Sequence, residues 1–372
     1  MKLNALQGLR AYAAAMVVFV HAISTYSEKV FLVESMPLPQ GLGELGVKIF
    51  FCISGFIIYN SSEKLNSGPS SAFEFITRRI IRIAPLYWMA TLVYAAKLSA
   101  QGNPPGIIDL VKSLFFIPYA DITGLMRPVL GVGWSLNFEM LFYITFFLAI
   151  LIKTNARFYI VSTLLIIINV AHSAFATQTN LTIAPNPIYL ISNYLLYYFL
   201  AGMLIAKIFE VSHDKKFWPR TTQTQSITYS SATIALYFIY TATNTIDALT
   251  LEWLMIACSV FCVFWCITEI QSSRQVRHPG SDLLCLAGDA SYSTYLIHGF
   301  VMGPAARAIK FFNIGISPIV FSLTMILICT IVGILVHFYI EKPTLRYLNN
   351  IFKKKPRPIL PLANGDLSNT NP

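Results

Sequence analysis

Long apolar stretches separated by short polar ones run through most of the chain. A helix of about 20 apolar residues crosses the roughly 30 Å hydrocarbon core of a bilayer. By this criterion the pattern predicts ten spanning helices, at residues 9–26, 43–60, 80–98, 134–152, 156–174, 187–206, 227–243, 250–268, 291–312 and 317–340. A shorter apolar segment in the connection 99–133 is expected either to lie at the membrane interface or to re-enter the membrane. We therefore expect an all-α, polytopic integral membrane protein.

The first predicted helix carries two ionisable residues, Arg10 near its start and His21 well inside it. Along a helix that rises 1.5 Å per residue they lie roughly 16 Å apart. An ionisable side chain at membrane depth is costly and suggests a functional site. In the alternative interpretation, Arg10 is only a flanking positive anchor and His21 only bonds a neighbouring helix. The two polar interruptions also favour a retained helix over a cleaved signal peptide.

Composition and charge agree with a membrane protein. Of the 372 residues, 55% are apolar and only 12% are charged, against about 25% charged in soluble proteins. The net charge is +10, but the basic residues lie between apolar segments, which indicates orientation in a bilayer rather than nucleic-acid binding. With a cytoplasmic N-terminus, most of the 27 Lys and Arg residues fall on the inner side, so both termini are expected in the cytoplasm.

The chain is expected to form one transmembrane domain, residues 1–345, followed by a basic and then polar tail, residues 346–372. The composition of the tail predicts disorder. Three cysteines spaced four apart, Cys258, Cys262 and Cys266, give a thiol stripe on one helical face. We expect them to pack in the core, and we expect no metal site.

The second and third predicted helices carry glycines and basic residues. Gly43, Gly46 and Gly55 are expected to allow close helix packing. Lys48 lies near the outer end of its helix, where its side chain could extend to the interface. The cluster formed by Arg78, Arg79 and Arg82 offers bidentate phosphate binding at the inner side. The alternative is membrane anchoring with lipid headgroup contacts.

The fourth predicted helix begins at Trp134 and carries Glu139. The predicted topology places Glu139 at a depth similar to that of His21, so the two side chains are natural partners. The pair could act as a general base, with Glu139 orienting the imidazole; a purely structural ion pair is the alternative. His298 is expected to be a packing hydrogen-bond partner, and Glu341 to mark a helix stop at the inner face.

Six stretches in order resemble the membrane-bound acyltransferase-3 family of bacterial exopolysaccharide and O-antigen O-acetyltransferases: QGLRAYAAAMVVFVH, GVKIFFCISGFII, RRIIRIAPLYW, WSLNFEMLFY, SYSTYLIH and YIEKP. Arg10 and His21 match the family's Arg-x10-His motif, in which the histidine is the candidate catalytic residue. Arg79 and Arg82 match its Arg-x-x-Arg motif on the donor side. One departure is Lys48, where the family usually has aspartate.

The resemblance implies an enzyme that moves an acyl group, expected to be acetyl, from acyl-CoA to a sugar hydroxyl of an envelope polysaccharide, a lipopolysaccharide or a lipid-linked precursor. His21 and Glu139 are the candidate catalytic residues, and Arg10, Arg79 and Arg82 are the candidate acetyl-CoA-binding residues. Trp134 and Lys48 are candidate acceptor-binding residues. The implied location is the bacterial inner membrane, with polysaccharide-assembly proteins as further candidate partners.

Two other functions fit the sequence. A buried ionisable pair also suits a transporter or flippase of lipid-linked sugars, although no paired helix breaks occur in two matching halves. The chain could also be a non-catalytic assembly partner of a polysaccharide synthase.

Overall fold

The computed structural model describes residues 4–31, 41–120, 127–152, 156–179, 194–212, 219, 221–269 and 279–352, and the regular secondary structure within these ranges is entirely helical. The helices are α1 (Asn4–Tyr26), α2 (Leu42–Ser62), α3 (Pro69–Ala100), α4 (Ile107–Leu114), α5 (Trp134–Leu151), α6 (Arg157–Thr179), α7 (Leu195–Val211), α8 (Gln223–Thr243), α9 (Ala248–Thr268), α10 (Pro279–Asp289), α11 (Ser291–Phe311), α12 (Pro318–Val336) and α13 (Lys342–Phe352). A π-helical turn, Ser27–Phe31, follows α1, and a second one, His337–Glu341, joins α12 to α13.

The all-helical fold is confirmed for the described residues, and a helix overlaps each predicted span. Within the described ranges, five helical segments are long and apolar enough to cross a bilayer: Asn4–Val30, Leu42–Ser62, Gly131–Leu151, Ala248–Thr268 and Pro318–Phe352. Large apolar side chains also cover much of the outer surface, among them Leu92, Leu236 and Leu327. Such an exterior suits contact with lipid, so this is a membrane protein. The count of ten spans and the cytoplasmic termini stay predictions.

Two parts of the chain differ from the prediction. Helix α10 was not predicted, because it is too short to span a bilayer. The expected helix stop at Glu341 is wrong, since the chain continues through the π-helical turn into α13. A proline in the first turn of a helix gives up no hydrogen bond, so Pro343 is tolerated there. Residues 346–352 of the predicted tail are therefore helical, and residues 353–372 lie outside the described part.

Helix α1 lies in the middle of the bundle, where it packs against α2, α8, α9, α10, α11 and α12. Glycines allow the closest approaches, as predicted. A Cβ atom added at Gly46 would lie 2.6 Å from the Ala13 carbonyl oxygen on α1, and one at Gly55 would lie 2.2 Å from the Phe199 carbonyl oxygen on α7. Backbone-to-backbone contact of this kind sets the height and rotation of α2 relative to its neighbours.

The connection between α3 and α5 contains α4, whose eight residues are too few to span a bilayer. Ile107, Ile108 and Val111 are exposed, whereas Ser113 is buried and accepts a hydrogen bond from the Val129 amide at 2.8 Å. An amphipathic helix with an exposed apolar face suits the membrane interface, and the interfacial position of this segment stays a prediction.

Candidate functional site

His21 on α1 meets His298 on α11. Its Nδ1 lies 2.8 Å from Nε2 of His298, and the planes of the two rings are almost parallel, with an interplanar angle of 4° and centroids 4.9 Å apart. His298 is buried, with 2% of its surface exposed, whereas the side chain of His21 is exposed. The second ring nitrogen of His298, Nδ1, lies 2.7 Å from the Tyr295 carbonyl oxygen.

Glu139 on α5 does not take the predicted place beside His21. Its Oε1 accepts a hydrogen bond of 2.6 Å from the Ser54 hydroxyl on α2, and its buried Oε2 has no hydrogen-bond partner among the described residues. The predicted pairing of the two residues is therefore wrong. Similar depth does not determine which way two side chains point, and α5 turns Glu139 towards α2.

The three predicted donor-side arginines converge on one cavity. Arg10, Arg79 and Arg82 line a central cavity of about 220 Å³ together with Glu139. Arg79 donates a hydrogen bond of 2.6 Å to the Ser61 hydroxyl. The α3 helix runs unbroken through Pro85 and presents Arg79 and Arg82, three residues apart, to this cavity.

Glu341 holds Arg82 in place. Its buried carboxylate accepts from Arg82 Nη1 at 2.5 Å and from the Ser293 hydroxyl at 2.6 Å, and it lies 2.8 Å from His337 Nδ1. Sequence reasoning treated Glu341 as a helix stop and missed this role. The usable signal was its place within the YIEKP motif, because a carboxylate in an apolar helix needs a partner.

Two further cavities adjoin the central one. At the basic end, a cavity of about 440 Å³, named the inner cavity after the predicted orientation, shares Arg79 and Arg82 with it and is also lined by Arg78, Leu345 and Asn349. At the other end, a cavity of about 310 Å³, named the outer cavity, is lined by His21, Trp134, Glu44, Val47 and Tyr295. The last two of these residues also line the central cavity. The arginines and His21 thus lie along one series of adjoining cavities.

Of the two predicted acceptor-binding residues, Trp134 lies beside His21 in the outer cavity. Lys48 was expected to extend to the interface. Instead it is buried, with only 4% of its surface exposed. Its Nζ binds Glu252 Oε1 at 2.6 Å and Glu44 Oε2 at 3.0 Å. Glu252 also accepts from the Tyr198 hydroxyl at 3.0 Å. The positive charge at this position is therefore neutralised inside the bundle.

Comparisons with known proteins identify the family of this chain. The family model described as an acyltransferase domain, that of the acyltransferase-3 family, matches residues 3–338. The chain belongs to the acyltransferase-3 family. It is also 32% identical over 311 residues to the exopolysaccharide production protein ExoZ of Rhizobium meliloti (strain 1021), covering 82% of this chain and 90% of that protein. No solved structure matches.

Membership of the acyltransferase-3 family makes the protein an acyltransferase. The matched region contains Arg10, His21, Arg79, Arg82 and Glu139. An acyltransferase needs a donor site, an acceptor site and a base where the two meet. The central cavity contains three arginines, the next one contains His21, and the two share Val47 and Tyr295.

Proposed function

We propose that this protein is an O-acyltransferase that moves an acyl group from acyl-CoA to a sugar hydroxyl of an envelope polysaccharide or its lipid-linked precursor. The observation that carries the proposal is the series of adjoining cavities from Arg78, Arg79 and Arg82 to His21. The similarity to an exopolysaccharide production protein supports a polysaccharide acceptor. Acetyl is the proposed acyl group, and the inner membrane is the proposed location.

The donor fits the basic end of the series. Coenzyme A carries several phosphates, and guanidinium groups bind phosphate through paired hydrogen bonds. Arg78 is exposed at the inner cavity, while Arg79 and Arg82 line both this cavity and the central one. The pantetheine arm would run through the central cavity, where the buried Glu139 carboxylate offers a hydrogen-bond acceptor. Glu139 acts in this proposal on the donor side rather than on His21.

The acceptor fits the outer cavity. His21 and Trp134 share this cavity with Glu44, and an aromatic ring beside polar groups can hold the apolar face of a sugar while the polar groups bind its hydroxyls. The Lys48 ammonium is paired with Glu252 and Glu44, so it is not available to bind an anionic sugar. This arrangement favours a neutral sugar.

His21 is the proposed general base. It takes the proton of the sugar hydroxyl, whose oxygen attacks the acyl carbon; the carbon–sulfur bond breaks, and the proton passes from His21 to the departing thiolate. The products are the acylated sugar and coenzyme A with a free thiol. A variant route, in which His21 first carries the acyl group, predicts that the protein itself becomes acyl-labelled when acyl-CoA is supplied without acceptor.

The test uses the purified protein in liposomes with acetyl-CoA and polysaccharide from the producing cell. We expect His21→Ala to lower the release of coenzyme A by about 10²-fold or more, because the base is lost, and Arg82→Ala to raise the KM for acetyl-CoA. Arg307→Ala, an exposed change on α11 outside the three cavities, is the matched control. Wild-type turnover by both variants would end the proposal.

Mass spectrometry of envelope polysaccharide from cells with and without the protein identifies the acyl group. We expect a mass difference of one acyl unit per modified repeat. A flippase or a synthase partner would instead change the amount of polymer and leave its acyl content unaltered.

A further inference from the structure

The contacts of His298 determine which of its nitrogens carries hydrogen. Its Nδ1 lies 2.7 Å from the Tyr295 carbonyl oxygen, and a carbonyl oxygen can only accept. Nδ1 of His298 therefore carries the hydrogen and donates it. A neutral imidazole has one N–H and one lone pair, so Nε2 of His298 is an acceptor.

The same reasoning extends to His21. Its Nδ1 lies 2.8 Å from the accepting Nε2 of His298, so Nδ1 of His21 must be the donor. The lone pair of neutral His21 then lies on its Nε2. Since His21 lines the outer cavity and Nδ1 is occupied, Nε2 is the ring nitrogen that remains for a ligand in that cavity.

We propose that His298 is a positioning residue, which fixes His21 in the Nδ1–H tautomer so that the Nε2 lone pair serves the outer cavity. This inference rests on the proposed function, in which His21 is the base. In many hydrolases a carboxylate orients the catalytic histidine; here a neutral imidazole takes that place. When His21 gains a proton, its Nδ1–H continues to donate to His298, and the hydrogen bond supports the imidazolium.

The packing of α11 keeps His298 in this position. The carbonyl that His298 binds belongs to Tyr295, one turn earlier in the same helix, so local backbone geometry fixes the ring. The Tyr295 hydroxyl in turn lies 2.9 Å from the Ser135 hydroxyl and donates to the Val132 carbonyl at 3.0 Å. These contacts join α11 to the start of α5, where Trp134 lines the outer cavity. The carboxylate of Glu44 on α2 and the Tyr295 phenol also line that cavity.

Nitrogen NMR of the full chain in liposomes, labelled with ¹⁵N-histidine, tests the tautomer directly. The signals of His21 are assigned by their loss in His21→Asn. We expect the wild type to show a protonated Nδ1 and an unprotonated Nε2 at neutral pH. We expect His298→Leu to show a mixture of tautomers, whereas His298→Gln, whose amide oxygen can accept, retains the wild-type form. A wild-type His21 protonated on Nε2, or an unchanged tautomer in His298→Leu, would overturn the inference.

Turnover of acetyl-CoA with polysaccharide acceptor supplies the second readout. His298→Leu is expected to lower kcat by about 10²-fold, as expected for a misplaced general base, with the KM for acetyl-CoA unchanged. His298→Gln should recover at least tenfold of this loss, and equal kcat values for the two variants would contradict the positioning role. The two proposals fail separately: wild-type turnover by His21→Ala removes the catalytic function and leaves the tautomer result standing, whereas a reversed tautomer removes only the role of His298.

Discussion

At the level of single side chains, the ion pair of Lys48 with Glu252 requires both of its partners. Only 6% of the Lys48 side chain and 18% of the Glu252 side chain are exposed. Two charges in such a site are stable only together, because either one alone would stand unpaired in a low-dielectric environment. Glu252 on α9 thus compensates for the lysine that stands where the family usually has aspartate, and it joins α9 to α2.

Replacing one residue of this pair should lower the free energy of unfolding more than replacing both. We expect Lys48→Met alone to lower the free energy of unfolding by about 3 kcal/mol, because it leaves the partly buried Glu252 carboxylate without its counter-charge. The double variant Lys48→Met/Glu252→Gln should recover most of that loss. Thermal unfolding in detergent measures both.

The pair Arg78–Glu74 is the matched control, since its side chains are 66% and 39% exposed. Removing an exposed pair costs about 0–1 kcal/mol, so Glu74→Gln should leave the melting temperature nearly unchanged. Equal destabilisation by Lys48→Met and by the double variant would contradict the coupling.

At the level of helices, glycine contacts decide how closely α2 and α7 approach. A Cβ atom at Gly202 on α7 would lie 2.0 Å from the Cys52 carbonyl oxygen, and one at Gly55 on α2 would lie 2.2 Å from the Phe199 carbonyl oxygen. The obstructing atoms are backbone, so they cannot move aside without moving a helix. The sequence predicted close packing at Gly55, but it gave no indication that α7 is the partner.

Gly202→Ala should force α2 and α7 apart and destabilise the bundle by about 3 kcal/mol, the upper end for overpacked cores. Gly299→Ala on α11 is the matched control, because an added Cβ there meets no atom within 4 Å. Alanine is a better helix former than glycine, by about 1 kcal/mol, so this control should be neutral or stabilising in the same thermal assay. A Gly202→Ala protein as stable as the wild type would refute the close contact.

At the level of the whole molecule, the cavity series has a basic end and an end at His21, and in a membrane these are proposed to face opposite sides. The predicted orientation assigns the basic end, with Asn349 exposed on α13, to the cytoplasm. It assigns Glu44 at the outer cavity to the other side. Such an arrangement would bring a cytoplasmic donor to an acceptor on the far side of the bilayer.

Labelling with a membrane-impermeant maleimide tests this orientation. The six native cysteines are buried, so the background should be low. In spheroplasts we expect Glu44→Cys to react, whereas Asn349→Cys should react only after permeabilisation. If both variants react equally in sealed spheroplasts, the two ends do not face opposite sides.

Patterns within single helices were sufficient to predict the all-helical architecture, the helices that overlap the predicted spans and the shared face of Arg79 and Arg82, because apolar length and i, i+3 spacing are properties of one segment. Only the tertiary structure decided that His21 meets His298 rather than Glu139, that Glu341 holds Arg82 and that Glu252 neutralises Lys48. Depth along a helix follows from counting residues, but the direction of a side chain depends on how each helix is rotated against its neighbours. That rotation is set by contacts between distant segments, such as those at Gly46, Gly55 and Gly202.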